Sequence, residues 1–252
     1  MKKLKAIFCD IDDTLYSTSE FSALARTNSV RAMIGAGLRV EEQEALRELE
    51  EIVVEFSSNY EHHFDKLLLR IPSHTYAGLN RAALVAAGVV AYHDTKFAEL
   101  KPYPDVLAVL KILARTDLVL GVITVGPEIK QAEKLIRLKV LSYLHPRAIF
   151  ISDQIGVSKP NVKLYMRACQ ELDVLPAESM YIGDNPVNDI DPPNDLGMIT
   201  VHNKRSGKHT HLKGRTRPDH EIGSFWDLLD IVEKTYGVKV KRPRRKKKAA
   251  SR

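Results

Sequence analysis

The chain has 252 residues, 44% apolar and 28% charged, a balance typical of folded proteins with room for one large domain or two smaller ones. Its formal charge of +6 is concentrated at one end: residues 239–252 hold nine Lys/Arg and no acid, and the rest carries 29 basic against 32 acidic residues. No apolar run nears the ~20 residues of a membrane span, Asp10 interrupts the first one too early for a signal peptide, and Cys9 and Cys169 lack metal-type spacing, so a soluble cytoplasmic protein with buried thiols is expected.

In chain order, the apolar residues 6–9 read as a buried parallel strand that ends in Asp10-Ile11-Asp12-Asp13-Thr14. From about Ser19 to Leu100 the periodicity is helical. Leu46, Leu49, Val53, Phe56, Tyr60, Phe64 and Leu67, at steps of three and four, predict one long amphipathic helix, with Gly35 and Gly37 marking the break before it and Pro72-Ser73 the break after. Residues 75–91 predict an Ala-rich helix. So long a stretch is not a structureless loop inside a compact domain, and 17–100 are expected to fold as a helical insertion.

Alternation follows. Pro104 opens a helix to about Arg115, residues 118–124 form a strand, Pro127 opens a helix, and 148–151 and 180–183 are further strands separated by a helix over 161–172. Asp191 is expected to cap a helix carrying Pro192 and Pro193 in its first turn and stopped by Gly197; 199–201 is a fifth strand and 224–236 a last helix. Strands spaced by helices imply an α/β protein with a Rossmann-like parallel sheet core, residues 1–16 and 101–237, and a helical cap, 17–100, inserted after the first strand. The dense like charge of 238–252 predicts a disordered basic tail.

The chemistry gathers at strand ends, where open α/β sheets bind ligands. Asp10 and Asp12, two apart in extended chain, leave the same side, giving one carboxylate to attack and one to handle a proton. Thr124-Val125-Gly126-Pro127 ends a strand with a hydroxyl and a helix N-terminus, suited to an anion. Lys159 brings an ammonium before a helix, and Gly183-Asp184 through Asp189 adds two more acids. Carboxylates so grouped repel one another unless a cation sits among them, and a hard ion that also takes phosphate oxygens points to Mg²⁺.

In order, Asp10-x-Asp12-x-Thr14, Thr124, Lys159 and Gly183-Asp184-x-x-x-x-Asp189 resemble the four signature motifs of the haloacid dehalogenase (HAD) superfamily, and the helical insertion resembles the cap of its C1-type members. Asp13 stands where many relatives have Gly, and Val125 where many have a polar residue. The resemblance implies Mg²⁺-dependent hydrolysis of a small phosphorylated metabolite through an aspartyl phosphate. Asp10 is then the nucleophile and Asp12 the general acid and base. Mg²⁺ is held by the Asp10 carboxylate, the Asp12 backbone carbonyl and Asp184, with Asp189 in support. Thr14, Thr124, Val125 and Gly126 serve the phosphate, and Lys159 offsets its charge.

Two other readings share parts of this sequence. A 2-haloacid dehalogenase would also use Asp10, attacking carbon, but needs neither Asp12 as proton carrier nor a metal held by Asp184. A polyanion-binding protein would act through the tail, by salt-sensitive and nonspecific contacts. His62-His63 and the loop histidines His202, His209 and His211 lack Cys or acid partners at zinc spacing and read as solvated; whether that loop reaches the site is left open by the sequence.

Overall fold

The computed structural model describes residues 3–205, 207, 209 and 211–242. Its elements begin with β1 (Ala6–Cys9), α1 (Thr18–Gly35), α2 (Glu42–Phe56), α3 (His63–Arg70), α4 (Arg81–Glu99), α5 (Pro104–Leu113) and β2 (Val119–Thr124). They continue with α6 (Glu128–Arg137), β3 (Ile149–Ile151), α7 (Ser152–Ile155), α8 (Val162–Glu171) and β4 (Ser179–Gly183), then α9 (Asp191–Asp195), β5 (Ile199–Asn203), β6 (His220–Ile222) and α10 (Phe225–Lys234).

The sheet is parallel throughout, in the order β3-β2-β1-β4-β5-β6. The Rossmann-like expectation therefore holds. All four β1 residues are buried, because both faces of the strand are covered. On one face Ile7, Cys9, Val122, Ile182 and Val201 pack with Val106, Leu110, Leu228 and Val232 of α5 and α10. On the other, Ala6, Phe8, Ile123 and Tyr181 pack with Leu164, Tyr165 and Ala168 of α8. Strand order reverses at β1, flanked by β2 and β4, so its C-terminal end opens into the crevice characteristic of such a switch point.

Between β1 and α5, α1 to α4 surround a cluster of their own that includes Val30, Met33, Leu49, Ile52, Leu67 and Leu84. Both connections to the sheet are tied down at one place. Asp13 accepts from the Thr18 and Ser19 amides at 2.9 and 3.2 Å, meeting two of the unpaired donors at the start of α1. The Tyr103 amide, on the returning strand of chain, donates to the Leu15 carbonyl at 2.9 Å.

Four local expectations are corrected. The long helix across 46–67 is two helices, since the chain leaves α2 at Ser57 with φ of 70° and re-enters a helix only at His63. The apolar steps run on through the break because Phe56 and Tyr60 still stack, at 5.0 Å between ring centres. The Ala-rich helix starts at Arg81, where the Asn80 side chain accepts from the Ala83 amide, and continues to Glu99. Asp191 does not cap its helix; its carboxylate accepts from the amides of Arg215 and Thr216 and from the Thr216 hydroxyl. Finally, β6 is an edge strand whose sequence, His-Glu-Ile, carries no apolar run to announce it.

Among the described residues no helix is long and apolar enough to cross a membrane. Of the segment read as tail, Val238 and Val240 pack on the core cluster and Arg242 pairs with Asp230 and Glu233; residues 243–252, which carry most of its charge, lie outside the described residues. Asp105, at the start of α5, pairs with both guanidinium nitrogens of Arg205 and accepts from the Phe225 amide at 2.7 Å, joining the start of α5, the segment after β5 and α10. Both partners are largely buried, so removing one leaves a charge without compensation. Asp105→Ala is expected to lower unfolding free energy by about 3 kcal/mol, read as a lower urea midpoint at unchanged slope.

Candidate active site

Each sheet strand around the switch point ends in a side chain that faces the same crevice. The Asp10 amide extends the β1–β4 ladder by donating to the Ile182 carbonyl at 2.8 Å, which fixes where its carboxylate leaves the backbone. Lys159, in the loop before α8, reaches Asp10 Oδ1 at 2.7 Å and Asp189 Oδ1 at 2.8 Å, with its side chain only 3% exposed. Asp10, Asp184 and Asp189 each offer a carboxylate oxygen, and these oxygens all lie within 4.8 Å of one another. Gly183 permits the approach: a Cβ there would stand 2.3 Å from Asp189 Oδ2.

Three buried carboxylates share one ammonium, and the imbalance shows in their proton affinities. Burial first, then the charges of Asp189 and Asp12, push Asp10 up to about 7 against the pull of Lys159. Burial, with Asp189, Asp10 and Asp13, pushes Asp184 up to about 9. Lys159 is raised as well, which for an amine means that it stays charged. Burial opposes its charge, but Asp10 and Asp189 outweigh burial and hold the ammonium above the usual lysine range.

The oxygens left over indicate what the crevice can accept. Asp189 is engaged on both sides, by Lys159 and by the Asn185 amide at 3.0 Å. Asp184 Oδ2 is buried with no hydrogen-bond partner, as are the hydroxyls of Thr14 and Thr124. Such groups are costly to bury unpaired. A hard divalent cation beside Asp184 and Asp10, with an oxyanion beside the threonine hydroxyls, would satisfy them, so the donor set fits Mg²⁺ or a similar ion. Val125 is 40% exposed at the turn that follows β2, while the Gly126 amide donates to Ser152 Oγ at 3.0 Å.

Asp12 lies at the crevice rim with its side chain turned toward α6 and α1. It accepts from Lys134 Nζ with both oxygens at 2.7 Å, from the Tyr16 hydroxyl at 2.6 Å, from Thr18 Oγ1 at 2.9 Å and from Gln131 Nε2 at 3.4 Å. Burial raises its carboxyl, but Lys134 above all, then Tyr16 and Thr18, overcome this and hold it below the ordinary carboxylate range. No pattern in the sequence singles out any of these four partners. Gln131 and Lys134 sit one turn apart on an ordinary-looking amphipathic helix, and Tyr16 and Thr18 lie in a junction without pattern. Tyr181 reads in sequence only as strand core; its hydroxyl accepts from Lys159 at 2.5 Å and donates to the Ile123 carbonyl at 2.8 Å.

The end of β5 and the segment after it also come to the site, and His202, read from the sequence as a solvated loop histidine, is instead buried in that strand. His202 Nε2 lies 3.1 Å from the Asp184 carbonyl, and Asn203 Nδ2 donates to the carbonyls of Asp13 and Thr14 at 3.3 and 3.4 Å. Gly207, with φ of 115°, lies so close that a Cβ would stand 2.9 Å from Asp13 Cβ and 3.1 Å from Asp184 Oδ2. The only sequence signal for this is a glycine within a basic loop.

The model of a haloacid dehalogenase-like hydrolase family matches residues 4–197. Over 234 residues, 91% of this chain and 97% of the relative, the sequence is 46% identical to the glyceraldehyde 3-phosphate phosphatase of Methanopyrus kandleri. The protein of the same name from Methanocaldococcus jannaschii is 36% identical over 230 residues, again 91% and 97% of the two chains. The crystal structure of a HAD phosphatase from Thermococcus onnurineus matches the fold with a TM-score of 0.65, at 24% identity over 91% of this chain and 98% of its own.

The charge imbalance and the close approach of Gly207 each have a measurable outcome. Ordinary carboxyls titrate near pH ~4, whereas Asp10 and Asp184 titrate at about 7 and about 9 in the metal-free fold. Between those limits the folded state binds more protons than the unfolded, so stability falls as pH rises through the window. In chelator, the melting temperature should decline from pH 5 to 9, and Mg²⁺ should raise it more at pH 8 than at pH 5. Gly207→Ala should weaken Mn²⁺ binding, measured by electron paramagnetic resonance, by roughly tenfold or more.

Proposed function

This chain belongs to the haloacid dehalogenase-like hydrolase family and is a phosphatase; from that premise we propose that it uses Mg²⁺ to hydrolyse a small phosphorylated metabolite, with glyceraldehyde 3-phosphate the leading candidate. The substrate rests on relatives of that name aligned over nearly their full length. The observation that carries the chemistry is the meeting of Asp10, Lys159 and Asp184 at one strand-end crevice beside unpartnered threonine hydroxyls.

Asp10 Oδ1 is tied to Lys159, leaving Oδ2 to attack phosphorus. The P–O bond to the leaving group breaks as the Asp10–phosphorus bond forms, and the resulting acyl phosphate is then opened by water, releasing phosphate and restoring Asp10. Asp12 delivers the proton to the leaving oxygen in the first half and removes one from water in the second. Its pairing with Lys134 favours the second role, since it keeps the carboxyl ionised. Thr14, Thr124 and the amide of Val125 receive the phosphate oxygens, with Gly126 shaping the turn, and Lys159 neutralises part of the charge that opposes a carboxylate approaching a phosphate. When bound, Mg²⁺ supplies the remaining positive charge; Asp10, Asp184 and the Asp12 carbonyl would hold it, with Asp189 supporting through Lys159 and Asn185.

Residues 17–100 act as a cap over this crevice. Their separate apolar cluster supports that reading, as do the pairs that seat them on α6: Lys130 with Glu61 at 3.1 Å, and Lys96 with Glu133. Attack on carbon by a dehalogenase leaves the Asp184 and Asp189 carboxylates without a use, which favours phosphoryl transfer.

Purified protein should release phosphate from glyceraldehyde 3-phosphate only when Mg²⁺ is supplied. Asp10→Asn should lower kcat by at least about 10³-fold, and Asp12→Asn by roughly 10²- to 10⁴-fold. Equal rates for wild type and Asp10→Asn would refute the assignment.

A further inference from the structure

The cap carries a cation that nothing among the described residues neutralises. Where α6 meets the cap, the basic side chains are engaged: Lys134 by Asp12, Lys130 by Glu61 and the Asn59 carbonyl, and Lys96 and Arg137 by Glu133. The Arg26 side chain on α1 is half-buried and makes no hydrogen bond or ion pair among the described residues. With no acceptor from the described residues, its guanidinium donors are left to water or to a ligand that brings oxygens.

Its position says which ligand. The helix α1 rises directly from the site, since Thr18 Oγ1 donates to Asp12. Thr18, Ser22 and Arg26 follow at steps of four and share a face. Helical side chains lean toward the N-terminus, so Arg26 hangs back toward Asp12. Across from it, α4 contributes Tyr92, whose ring meets Phe21 edge-on at 6.0 Å, while Asn28 and Thr95 join the two helices at 2.9 Å. The Tyr92 hydroxyl, raised mainly by burial, lies within the fields of both Arg26 and Asp12, and His63, lowered mainly by burial, lies within those of Arg26 and Lys130.

We propose that Arg26, with Tyr92 beside it, binds the oxygen-bearing chain of the substrate beyond its phosphoester, and so selects short phosphate esters with carbonyl or hydroxyl oxygens over esters with an apolar leaving group. The guanidinium donates to those oxygens, and Tyr92 closes the apolar side of the subsite. This deepens the phosphatase reading and rests on it.

The test compares steady-state kinetics of wild type, Arg26→Met and Arg26→Lys on glyceraldehyde 3-phosphate and on phenyl phosphate, with Mg²⁺ saturating. Arg26→Met should lower kcat/KM for the aldehyde ester roughly 10- to 100-fold, mostly through KM, and leave phenyl phosphate within about twofold. Arg26→Lys should recover part of the loss. The Arg26 side chain makes no hydrogen bond or ion pair among the described residues whose removal would unfold the chain, so circular dichroism should match wild type. Equal losses on both esters, or none on either, would overturn the subsite while leaving the phosphatase standing. A wild type inert on both esters would remove the phosphatase reading and the subsite with it.

Discussion

The constraint on which the molecule turns is a deficit of positive charge. Asp10, Asp184 and Asp189 are all largely buried, and Lys159 is the ammonium that reaches into their midst, bonded to two of the three. Carboxylates do not stay ionised at such spacing without compensation, which is why burial and mutual repulsion lift Asp10 and Asp184 while Lys159 is held charged. The fold tolerates the cluster because the parallel sheet brings the ends of β1 and β4 side by side and leaves the space beyond them open. The same deficit makes the crevice receptive to a cation and a phosphate ester together.

The loop that supplies the carboxylates also anchors the inserted helices. Asp12 takes a hydrogen bond from Thr18, and Asp13 receives the first free amides of α1, so the start of the insertion is bonded directly to the edge of the site. The return crossing is held by the Tyr103 amide on the Leu15 carbonyl and, two residues further, by Asp105 with Arg205. The carboxylate of Asp13, in place of the more usual glycine, therefore has a physical purpose. It accepts α1's unpaired donors from a positive-φ backbone that glycine would adopt more readily. A movement of α1 cannot leave Asp12 untouched, which ties the inserted helices to the edge of the site.

What could be read in advance follows from the range of the signals. The step from apolar Ala6–Cys9 to Asp10, and from the buried β4 to Asp184, are changes within five residues, so both strand ends and their acids are visible in the chain itself. The break at Ser57 is invisible there because Phe56 and Tyr60 keep contact across it and so preserve the helical spacing. Asp191 looks like a cap because Asp before two prolines usually is one; here the loop at Arg215 and Thr216 competes for the carboxylate and wins.

The sequence by itself determined the alternation of strand and helix, the inserted helical stretch and the reactive types at each strand end, because apolar period and chain-local polarity encode these. Only the tertiary structure decided that Lys134, 122 positions away, grips Asp12, that Tyr181 supports Lys159, and that Gly207 lies against Asp184. Such contacts depend on the rotational phase of one element over another, a quantity set by the packing of the whole core and carried by no single stretch of residues.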